Sequence, residues 1–386
     1  MNPVYKEITD FIRTVYPDNK GIIPLHSPTF SGNEKKYLIN CIDTNFVSSV
    51  GPYVREFETK VAEFTGASYG IAVVNGTCGL HLSLKVAGVL PGDEVITQPL
   101  TFVATSNAIS QAGASPVYLD IDHMTMGLSP GSLSDFLSIW CTIEKDGSVK
   151  NKKSGRRIAA CVPVHTFGHP CRIDIIASVC RKYNIPLVED AAESLGSLYN
   201  GRHTGTFGQC GVLSFNGNKI ITTGGGGIIL TEDFKFAEKV RHLSTQAKVP
   251  HEWEYVHDEA GFNYRLTNLQ AALGVAQMES LTHYIENKRA LAEKYRNFFN
   301  ERGIEFFTEP GNSKSNYWLN TILLPDLKER DEFLRYTNER GISTRPAWRL
   351  MHKLKMYSGC SGGKLTTAEM LAERIVNIPS SVRNEK

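Results

Sequence analysis

The sequence predicts an α/β protein with a large domain built on a mainly parallel, doubly wound sheet, followed by a smaller domain. From about residue 35 onward, helical patterns alternate with short apolar runs bounded by Gly, Pro, Asn or Asp. Most of these runs are nearly continuous rather than alternating, which is typical of strands buried on both faces of a parallel sheet. The chain has 386 residues, enough for one large domain and a smaller one.

The elements follow from local patterns. Val4, Ile8, Phe11, Ile12 and Val15 repeat at helical spacing and predict an amphipathic helix in an N-terminal extension, residues 1–20. A second helix is predicted up to Gly66, because apolar residues step by three or four before that glycine. Strands are predicted at 69–75, 94–99, 116–120, 158–165, 185–190, 211–215 and 227–231.

A long amphipathic helix is predicted from the spacing of Met278, Leu281, Ile285, Leu291, Tyr295 and Phe298, with its end at Gly303. We expect this helix to connect the two domains. The boundary is placed near residue 270, which gives a large domain at 21–270 and a smaller one at 271–386.

Composition excludes several classes of protein. With 41% hydrophobic and 21% charged residues, the chain has the profile of a soluble globular protein. The 42 Lys and Arg nearly cancel the 40 Asp and Glu, so net charge gives no reason to expect nucleic acid or a membrane as partner. An anionic ligand would therefore need a local site.

The eight cysteines form no C-x-x-C pair, and they are expected to be reduced thiols. Charged residues occupy the N-terminal segment where a signal peptide would be apolar, and no apolar run reaches about 18 residues. We therefore expect a cytoplasmic protein.

Polar residues that follow the predicted strands are the first candidates for chemistry, because ligands of parallel sheets bind beyond the carboxyl ends of the strands. Asn75, Gly76 and Thr77 follow the first strand and open a helix, which suits either a phosphate or ordinary N-capping. Asp190 ends a buried strand, where a carboxylate needs a cationic or metal partner unless it only caps the following turn.

The segment 210–233 is the most specific in the chain. A strand leads to Ser214, an Asn/Gly turn presents Lys219, and four glycines at 224–227 lead into the next strand. The spacing is neither that of a Walker loop nor that of a Rossmann fingerprint. Although a lysine in such a turn is usually solvated, the apolar strands and glycines around Lys219 favour a Schiff-base lysine.

The chain resembles the nucleotide-sugar aminotransferases of the DegT/DnrJ/StrS type. The resemblance rests on NGTCGLHLSLKVAGVLPGDEVI (75–96), PLTFVATSNAI (99–109), VEDAAESLGS (188–197), SFNGNKIITTGGGG (214–227) and GFNYRLTNLQAALGVAQM (261–278). It implies the type I aminotransferase fold and pyridoxal 5'-phosphate as cofactor. The opening helix, NGNKIITT and RPAWRLMH (345–352) look most similar to the subgroup that aminates C4 of a UDP-linked 2-acetamido-2,6-dideoxy-4-keto-hexose in bacterial bacillosamine- and legionaminic-type glycan biosynthesis.

The resemblance also implies roles for single residues. Lys219 corresponds to the Schiff-base lysine, and Asp190 to the partner of the pyridine nitrogen. Glu193 corresponds to the residue facing the 3-hydroxyl of the ring. Phe102 corresponds to the aromatic side chain stacked on that ring, with plain core packing as the alternative.

For the cofactor phosphate, the resemblance implies binding by the N-terminal turn of the helix after strand one and by a neighbouring hydroxyl, that is by Gly76, Thr77, Cys78 and Ser214. Asn263 is expected to reach the same phosphate from the partner subunit. The active site would then be composite, and the enzyme a homodimer.

The substrates implied are L-glutamate as amino donor and a nucleotide-linked keto sugar as acceptor. Arg265 and Arg345 are candidates for the donor carboxylate or the sugar pyrophosphate, with structural ion pairs as the alternative. Trp318, Trp348 and His352 are candidates for the sugar pocket, or else core residues. No metal is expected, because Gly168 and Pro170 break any helix that could direct His165 and His169 to one ion.

Other functions remain open at this point. A C3-aminotransferase, or an aminotransferase for GDP- or dTDP-linked 4-keto sugars, would share these motifs. A sugar dehydratase of the same family carries a histidine in place of the Schiff-base lysine, so Lys219 argues against it. A non-catalytic regulator need not keep Lys219, and a nicotinamide-dependent oxidoreductase is disfavoured by the absence of G-x-G-x-x-G.

Overall fold

The computed structural model of the chain describes residues 3–360 and 362–383. The helices are α1 (Pro3–Val15), α2 (Glu34–Asp43), α3 (Pro52–Thr65), α4 (Gly76–Val86), α5 (Val103–Gln111), α6 (Pro130–Trp140), α7 (Ile173–Lys182), α8 (Phe234–Ser244), α9 (Asn268–Asn300), α10 (Leu327–Glu339) and α11 (Thr366–Ala372). The strands are β1 (Tyr69–Val73), β2 (Glu94–Thr97), β3 (Ser115–Tyr118), β4 (Cys141–Ile143), β5 (Val149–Asn151), β6 (Arg157–Val162), β7 (Val188–Asp190), β8 (Leu198–Tyr199), β9 (Arg202–His203), β10 (Cys210–Ser214), β11 (Gly227–Thr231), β12 (Lys248–Val249), β13 (Val256–His257), β14 (Glu305–Phe306), β15 (Ser313–Lys314), β16 (Asn320–Leu323), β17 (Arg345–Pro346) and β18 (Ile375–Ile378).

The main sheet has the strand order β3-β2-β6-β7-β10-β11-β1. Strands β3, β2 and β6 pair in parallel, as do β7 and β10, and parallel bridges at Cys161–Leu187 and Val164–Asp190 join the two groups. Strand β11 is antiparallel to both of its neighbours. The connection from β10 to β11 lacks the crossover helix that a parallel pair would need, so the chain turns back directly. The predicted mainly parallel sheet is confirmed, with β11 as the exception.

Helices cover both faces of this sheet. On one face, Val73 and Ile229 share a core with Leu80 of α4 and Val240 of α8. On the other face, Ala72 and Ile228 pack with Phe57 of α3 and Val275 of α9. Neighbouring residues of one strand thus point to opposite cores, which is the burial that near-continuous apolar strands predict.

The C-terminal lobe contains a second, antiparallel sheet with the order β14-β16-β18-β17. Helix α9 connects the lobes, and its first residue follows a capping box between Thr267 and Gln270. Helix α1, which the sequence predicted, packs on this lobe, where Ile8 and Ile12 are buried with Tyr295 and Phe333. The proposed domain boundaries remain predictions, and their ends at residues 1–2 and 384–386 lie outside the described chain.

Among the helices described, none is both long and apolar enough to span a membrane.

Candidate active site

A cavity of about 400 Å³ lies at the carboxyl ends of β7 and β10, beside the start of α4. Nine of the predicted site residues line it: Gly76, Thr77, Phe102, Asp190, Glu193, Ser214, Lys219, Trp318 and Trp348. A larger concavity of about 780 Å³ opens near Arg157 and Arg181, and none of the predicted site residues lines it. The smaller cavity is therefore the candidate active site.

The N-terminal turn of α4 forms one end of the cavity. Asn75 caps the helix, because its side-chain oxygen accepts the N–H of Cys78 at 2.8 Å. The N–H groups of Gly76 and Thr77 belong to the first turn, where a helix has no internal acceptor for them. A Cβ on Gly76 would lie 3.1 Å from Cβ of Ser214, so the start of α4 and the end of β10 approach closely. The hydroxyls of Thr77 and Ser214 therefore lie at the same end of the cavity. This end of the cavity suits an anion.

Asp190 lies at a second side of the cavity, as the last residue of β7. Its Oδ2 accepts the hydroxyl of Thr105 at 2.7 Å, and its Oδ1 accepts the N–H of Ala192 at 3.2 Å. Burial raises the pKa of Asp190, while these two donors and the charge of Lys219 lower it. A cation placed in the cavity beside Asp190 would relieve the cost of burying this carboxylate.

Lys219 enters the cavity from the connection between β10 and β11. Its main-chain N–H donates to Asn216 at 2.9 Å, which forms the predicted Asn/Gly turn. Its Nζ lies 3.5 Å from Oε1 of Glu193 and 3.9 Å from the ring centroid of Trp318. The side chain is only 12% exposed, so Lys219 is not the solvated lysine that such a turn usually carries.

Glu193 contacts both Lys219 and the main chain of Phe167. Oε2 of Glu193 accepts the N–H of Phe167 at 2.8 Å, while Oε1 faces the lysine. Burial raises the pKa of Glu193 to about 7, against the opposing effect of the Lys219 charge and the Phe167 N–H. A carboxyl group with such a pKa can hold or release a proton near neutral pH.

Phe102 forms an aromatic wall of the cavity. It precedes α5 and is 53% exposed, so plain core packing, the alternative interpretation, is wrong for this residue. Trp348 lies 6.3 Å from Phe102 between ring centroids and 4.9 Å from Phe167. The aromatic wall therefore combines residues of both lobes.

Behind Asp190, a buried pair supports the end of β7. Nε2 of His165 lies 3.0 Å from Oε2 of Glu189, which also accepts the N–H of Gly205 at 2.8 Å. His169, by contrast, packs edge-on against Phe307 and Tyr317. The two histidines thus have separate surroundings.

Five predicted residues lie outside the lining of the cavity: Cys78, Asn263, Arg265, Arg345 and His352. The N–H of Cys78 is engaged by the cap at Asn75, which corrects the expectation that it is free for a phosphate. Asn263 is exposed on the described chain.

Arg265 forms an ion pair with Glu58 at 2.6 Å and donates to the carbonyl oxygen of Ala72 at 3.0 Å. The alternative interpretation of Arg265, a structural ion pair, therefore holds. Arg345 donates to Oδ1 of Asn338 at 2.7 Å on the surface and does not line this cavity.

Nε2 of His352 lies 3.3 Å from Oε1 of Glu369. His352 is thus paired with Glu369 and does not line the cavity.

Thr105 is a site residue that the sequence motifs did not single out. Its hydroxyl bonds both Asp190 and, at 2.8 Å, the hydroxyl of Thr101. Thr105 stands three residues after Phe102, on the same face of the helix that begins there, and this spacing was the available signal.

Comparisons with known proteins identify the family of the chain. The profile of the DegT/DnrJ/EryC1/StrS aminotransferase family matches residues 28–385. The chain is 37% identical over 366 residues to GDP-perosamine synthase of Escherichia coli O157:H7, covering 94% of this chain and 95% of that protein. It is also 37% identical to the putative pyridoxal phosphate-dependent aminotransferase EpsN of Bacillus subtilis, covering 87% and 84% respectively.

Among solved structures, the aminotransferase TlmJ from Streptoalloteichus hindustanus superimposes with a TM-score of 0.84 at 30% identity, covering 93% of each chain. The fold agrees with the type I aminotransferase fold that the resemblance implied. The chain therefore belongs to the DegT/DnrJ/EryC1/StrS aminotransferase family and is a sugar aminotransferase that uses pyridoxal phosphate.

Proposed function

We propose that the enzyme transfers an amino group from L-glutamate to C4 of a nucleotide-linked 4-keto-hexose. The observation that carries the proposal is the meeting of Lys219, Asp190 and an anion site in one cavity with an aromatic wall. An amine, a buried carboxylate and an anion site are the groups that a phosphorylated pyridine aldehyde requires. The residues present therefore fit the cofactor.

In this proposal, Thr77, Ser214 and the first turn of α4 hold the cofactor phosphate. Asp190 would pair with the ring nitrogen of the cofactor and favour its protonated form, and the hydroxyl of Thr105 holds Asp190 in place. Phe102 would supply an aromatic surface for the ring. When bound, pyridoxal phosphate supplies an electron sink and a carbon that carries the amino group between the two substrates.

Lys219 would hold the cofactor through its amino group, and its Nζ is proposed to carry a proton to and from the substrate. Glu193, 3.5 Å from that nitrogen, can take up or return the proton, because burial brings its pKa close to neutral pH. The side chains of Lys219 and Glu193 are only 12% and 4% exposed, so bulk water has little access to a proton that they exchange.

Trp318 and Trp348 line the cavity from the C-terminal lobe, and they are proposed to contact the sugar. Arg265, Arg345 and His352 are left out of the substrate site, because each has another partner outside the cavity.

For the acceptor, the opening helix and the motifs at 216–223 and 345–352 favour a UDP-linked 2-acetamido-2,6-dideoxy-4-keto-hexose. A GDP-linked sugar is a second candidate, favoured by the 37% identity to a protein named GDP-perosamine synthase. The experiment is a panel of UDP-, GDP- and dTDP-linked 4-keto and 3-keto sugars with L-glutamate, and NMR identification of each product. Fastest turnover of a UDP 4-keto sugar supports the first candidate, and that of a GDP 4-keto sugar supports the second. Preference for a 3-keto sugar would refute C4 amination, and the Lys219→Ala variant is the control for background reaction.

A homodimer is also proposed. Helix α2 and the segment after it expose four apolar side chains, Ile39, Ile42, Phe46 and Val50, and exposed apolar surface of this kind is typical of a contact between protein chains. Asn263 is exposed as well, as expected for a residue that completes the site of a second copy.

Mixing two inactive variants tests the composite site. When equal amounts of Lys219→Ala and Asn263→Ala subunits are unfolded and refolded together, the mixture should regain about a quarter of the wild-type activity, because half of the dimers are then hybrids with one intact site of two. If the mixture stays as inactive as the separate variants, Asn263 does not act across subunits. A monomer by light scattering would refute the dimer itself.

A further inference from the structure

Trp318 lies directly against the amino group of Lys219. The Nζ of Lys219 is 3.9 Å from the centroid of the Trp318 ring, and Trp318 itself is 4% exposed. An ammonium group over an indole is attracted by the negative face of the ring, and more strongly where water is excluded. The lysine amine thus rests between an aromatic face and the carboxylate of Glu193.

Trp318 is itself held at three points. Its indole N–H donates to the carbonyl oxygen of Asn218 at 2.6 Å, and its main-chain N–H donates to Oδ1 of Asn316 at 2.8 Å. Its carbonyl oxygen accepts Nζ of Lys288 at 3.1 Å. Because Asn218 directly precedes Lys219, the ring is fixed relative to the turn that presents the lysine.

Lys288, on α9, is an unusual anchor. It is fully buried, and its Nζ donates to the carbonyl oxygens of Trp318 and Ser380, whereas no carboxylate pairs with it in the described parts of the chain. Two acceptors match the two N–H groups of an uncharged amine, and a charged amine would have a third N–H without an acceptor. Burial lowers the pKa of Lys288 to about 7.

A lysine buried without a carboxylate costs stability, and an unbranched apolar side chain would fill the same space without that cost. The polar contact that Lys288 makes instead ends at the residue that touches Lys219. Lys288 thus costs stability and contacts the residue that lies against Lys219, which indicates a functional role for Lys288.

We propose that Trp318 is a positioning residue for Lys219 and that Lys288 is a positioning residue for Trp318. The inference rests on the proposed role of Lys219 and adds two residues that act through it. It predicts that Trp318 serves both halves of the reaction, since Lys219 moves a proton in each. A residue that only contacts the sugar would serve the second half alone.

The titratable groups that face Lys219 are Glu193, Asp190 and His26. Of these, His26 also faces Lys288, and its pKa lies well below the usual range because of burial and of the two lysine charges. Variants at Trp318 and Lys288 keep Glu193, Asp190 and His26, so the effects of the two positioning residues can be distinguished from the loss of one of these groups.

The first test measures the two half-reactions separately in single turnovers, one with L-glutamate and one with the keto sugar. Trp318→Leu should slow both by a similar factor of about 10 or more, because a small misplacement of a reacting group has effects of this size. Lys288→Met should slow both about 3-fold or more. Trp348→Leu, the matched control in the same cavity, should slow only the half-reaction with the sugar.

The second test uses the cofactor-free protein. The rate of reductive methylation of Lys219 is followed against pH by peptide mass spectrometry. Loss of the aromatic face disfavours the ammonium form, so the labelling curve of Trp318→Leu should shift to lower pH by about 0.4–1.5 units, and that of Trp348→Leu should not shift. Trp318→Phe keeps an aromatic face and should restore most of both effects, which separates positioning from a failure to fold.

The proposal is overturned if Trp318→Leu slows only the sugar half-reaction and leaves the labelling curve unchanged, because Trp318 is then a sugar-pocket residue. It is also overturned if Lys288→Met leaves both half-reactions unchanged. The proposed function fails separately, if borohydride reduction does not attach the cofactor to Lys219 in the active wild-type enzyme.

Discussion

Replacing Lys288 by methionine should change how the stability of the protein depends on pH. In the folded protein, burial lowers the pKa of Lys288 to about 7, whereas its usual value is 10.5. Between these two values the unfolded chain binds a proton that the folded chain does not. Stability of the wild type therefore rises with pH in this window, and the penalty for burying the lysine is fully present below about pH 7.

The size of the effect follows from the two pKa values. Their difference corresponds to about 5 kcal/mol at 1.36 kcal/mol per pKa unit. Methionine avoids this penalty but leaves the carbonyl groups of Trp318 and Ser380 without a donor, at a cost of about 1–3 kcal/mol each. The net change near pH 7 is thus small, and the change with pH is the diagnostic quantity.

The assay is urea unfolding of cofactor-free wild type and Lys288→Met at several pH values, followed by circular dichroism. From about pH 8 to about pH 9.5, the wild type should gain about 2 kcal/mol relative to the variant. Lys294→Met, on the exposed side of the same helix, is the matched control and should show no comparable change. Parallel pH profiles for wild type and Lys288→Met would instead mean that Lys288 stays charged in the folded protein, contrary to this prediction.

Three further predictions concern the active site. Thr105→Val removes a hydroxyl that donates to Asp190, so the acid limb of the pH–activity profile should move up by about 1–2 units, with Thr101→Val as the control. Gly227→Ala should weaken pyridoxal phosphate binding by about 10-fold or more in a fluorescence titration, because its Cβ would lie 2.8 Å from the carbonyl carbon of Asn75. Gly217→Ala meets nothing within 4 Å and should bind normally. Burial raises the pKa of Glu193, so its ionised form is disfavoured in the folded protein. The wild type should therefore lose up to about 3 kcal/mol of unfolding free energy as the pH rises from about 4.5 to about 7. Glu193→Gln should remove this loss. A pH profile of urea unfolding identical to that of the wild type would contradict the last prediction.

The sheet could be predicted from the sequence because its strands are buried on both faces, so apolar runs and their polar ends are visible in the chain. The same logic located Asp190 at a strand end and Lys219 in a turn. The antiparallel direction of β11 could not be predicted, because an apolar strand has the same sequence pattern in either orientation. The direction is determined by the short connection between β10 and β11, which carries Lys219.

Pairings between distant residues could not be predicted. Arg265 and Glu58 are separated by 207 residues, and only the folded chain shows that they neutralise each other. An arginine near family motifs therefore looked like a ligand. The same applies to His352 and Glu369, which meet only because the C-terminal lobe folds back on itself.

The burial of Lys288 could be predicted from the sequence, but its contacts could not. It stands three residues from both Ile285 and Leu291, so the helical pattern already placed it on the buried face of α9. The pattern could not show which groups it meets there. That required the positions of Trp318 and Ser380, which come from another part of the chain.

The central claim, that Lys219 holds the cofactor in this cavity, is tested most directly by reductive trapping. The purified enzyme is reduced with borohydride in the presence of pyridoxal phosphate, digested, and mapped by mass spectrometry. We expect one modified peptide, which contains Lys219, and its absence after pretreatment with L-glutamate. Attachment to another lysine, or none in an enzyme that still transfers amino groups, would contradict it.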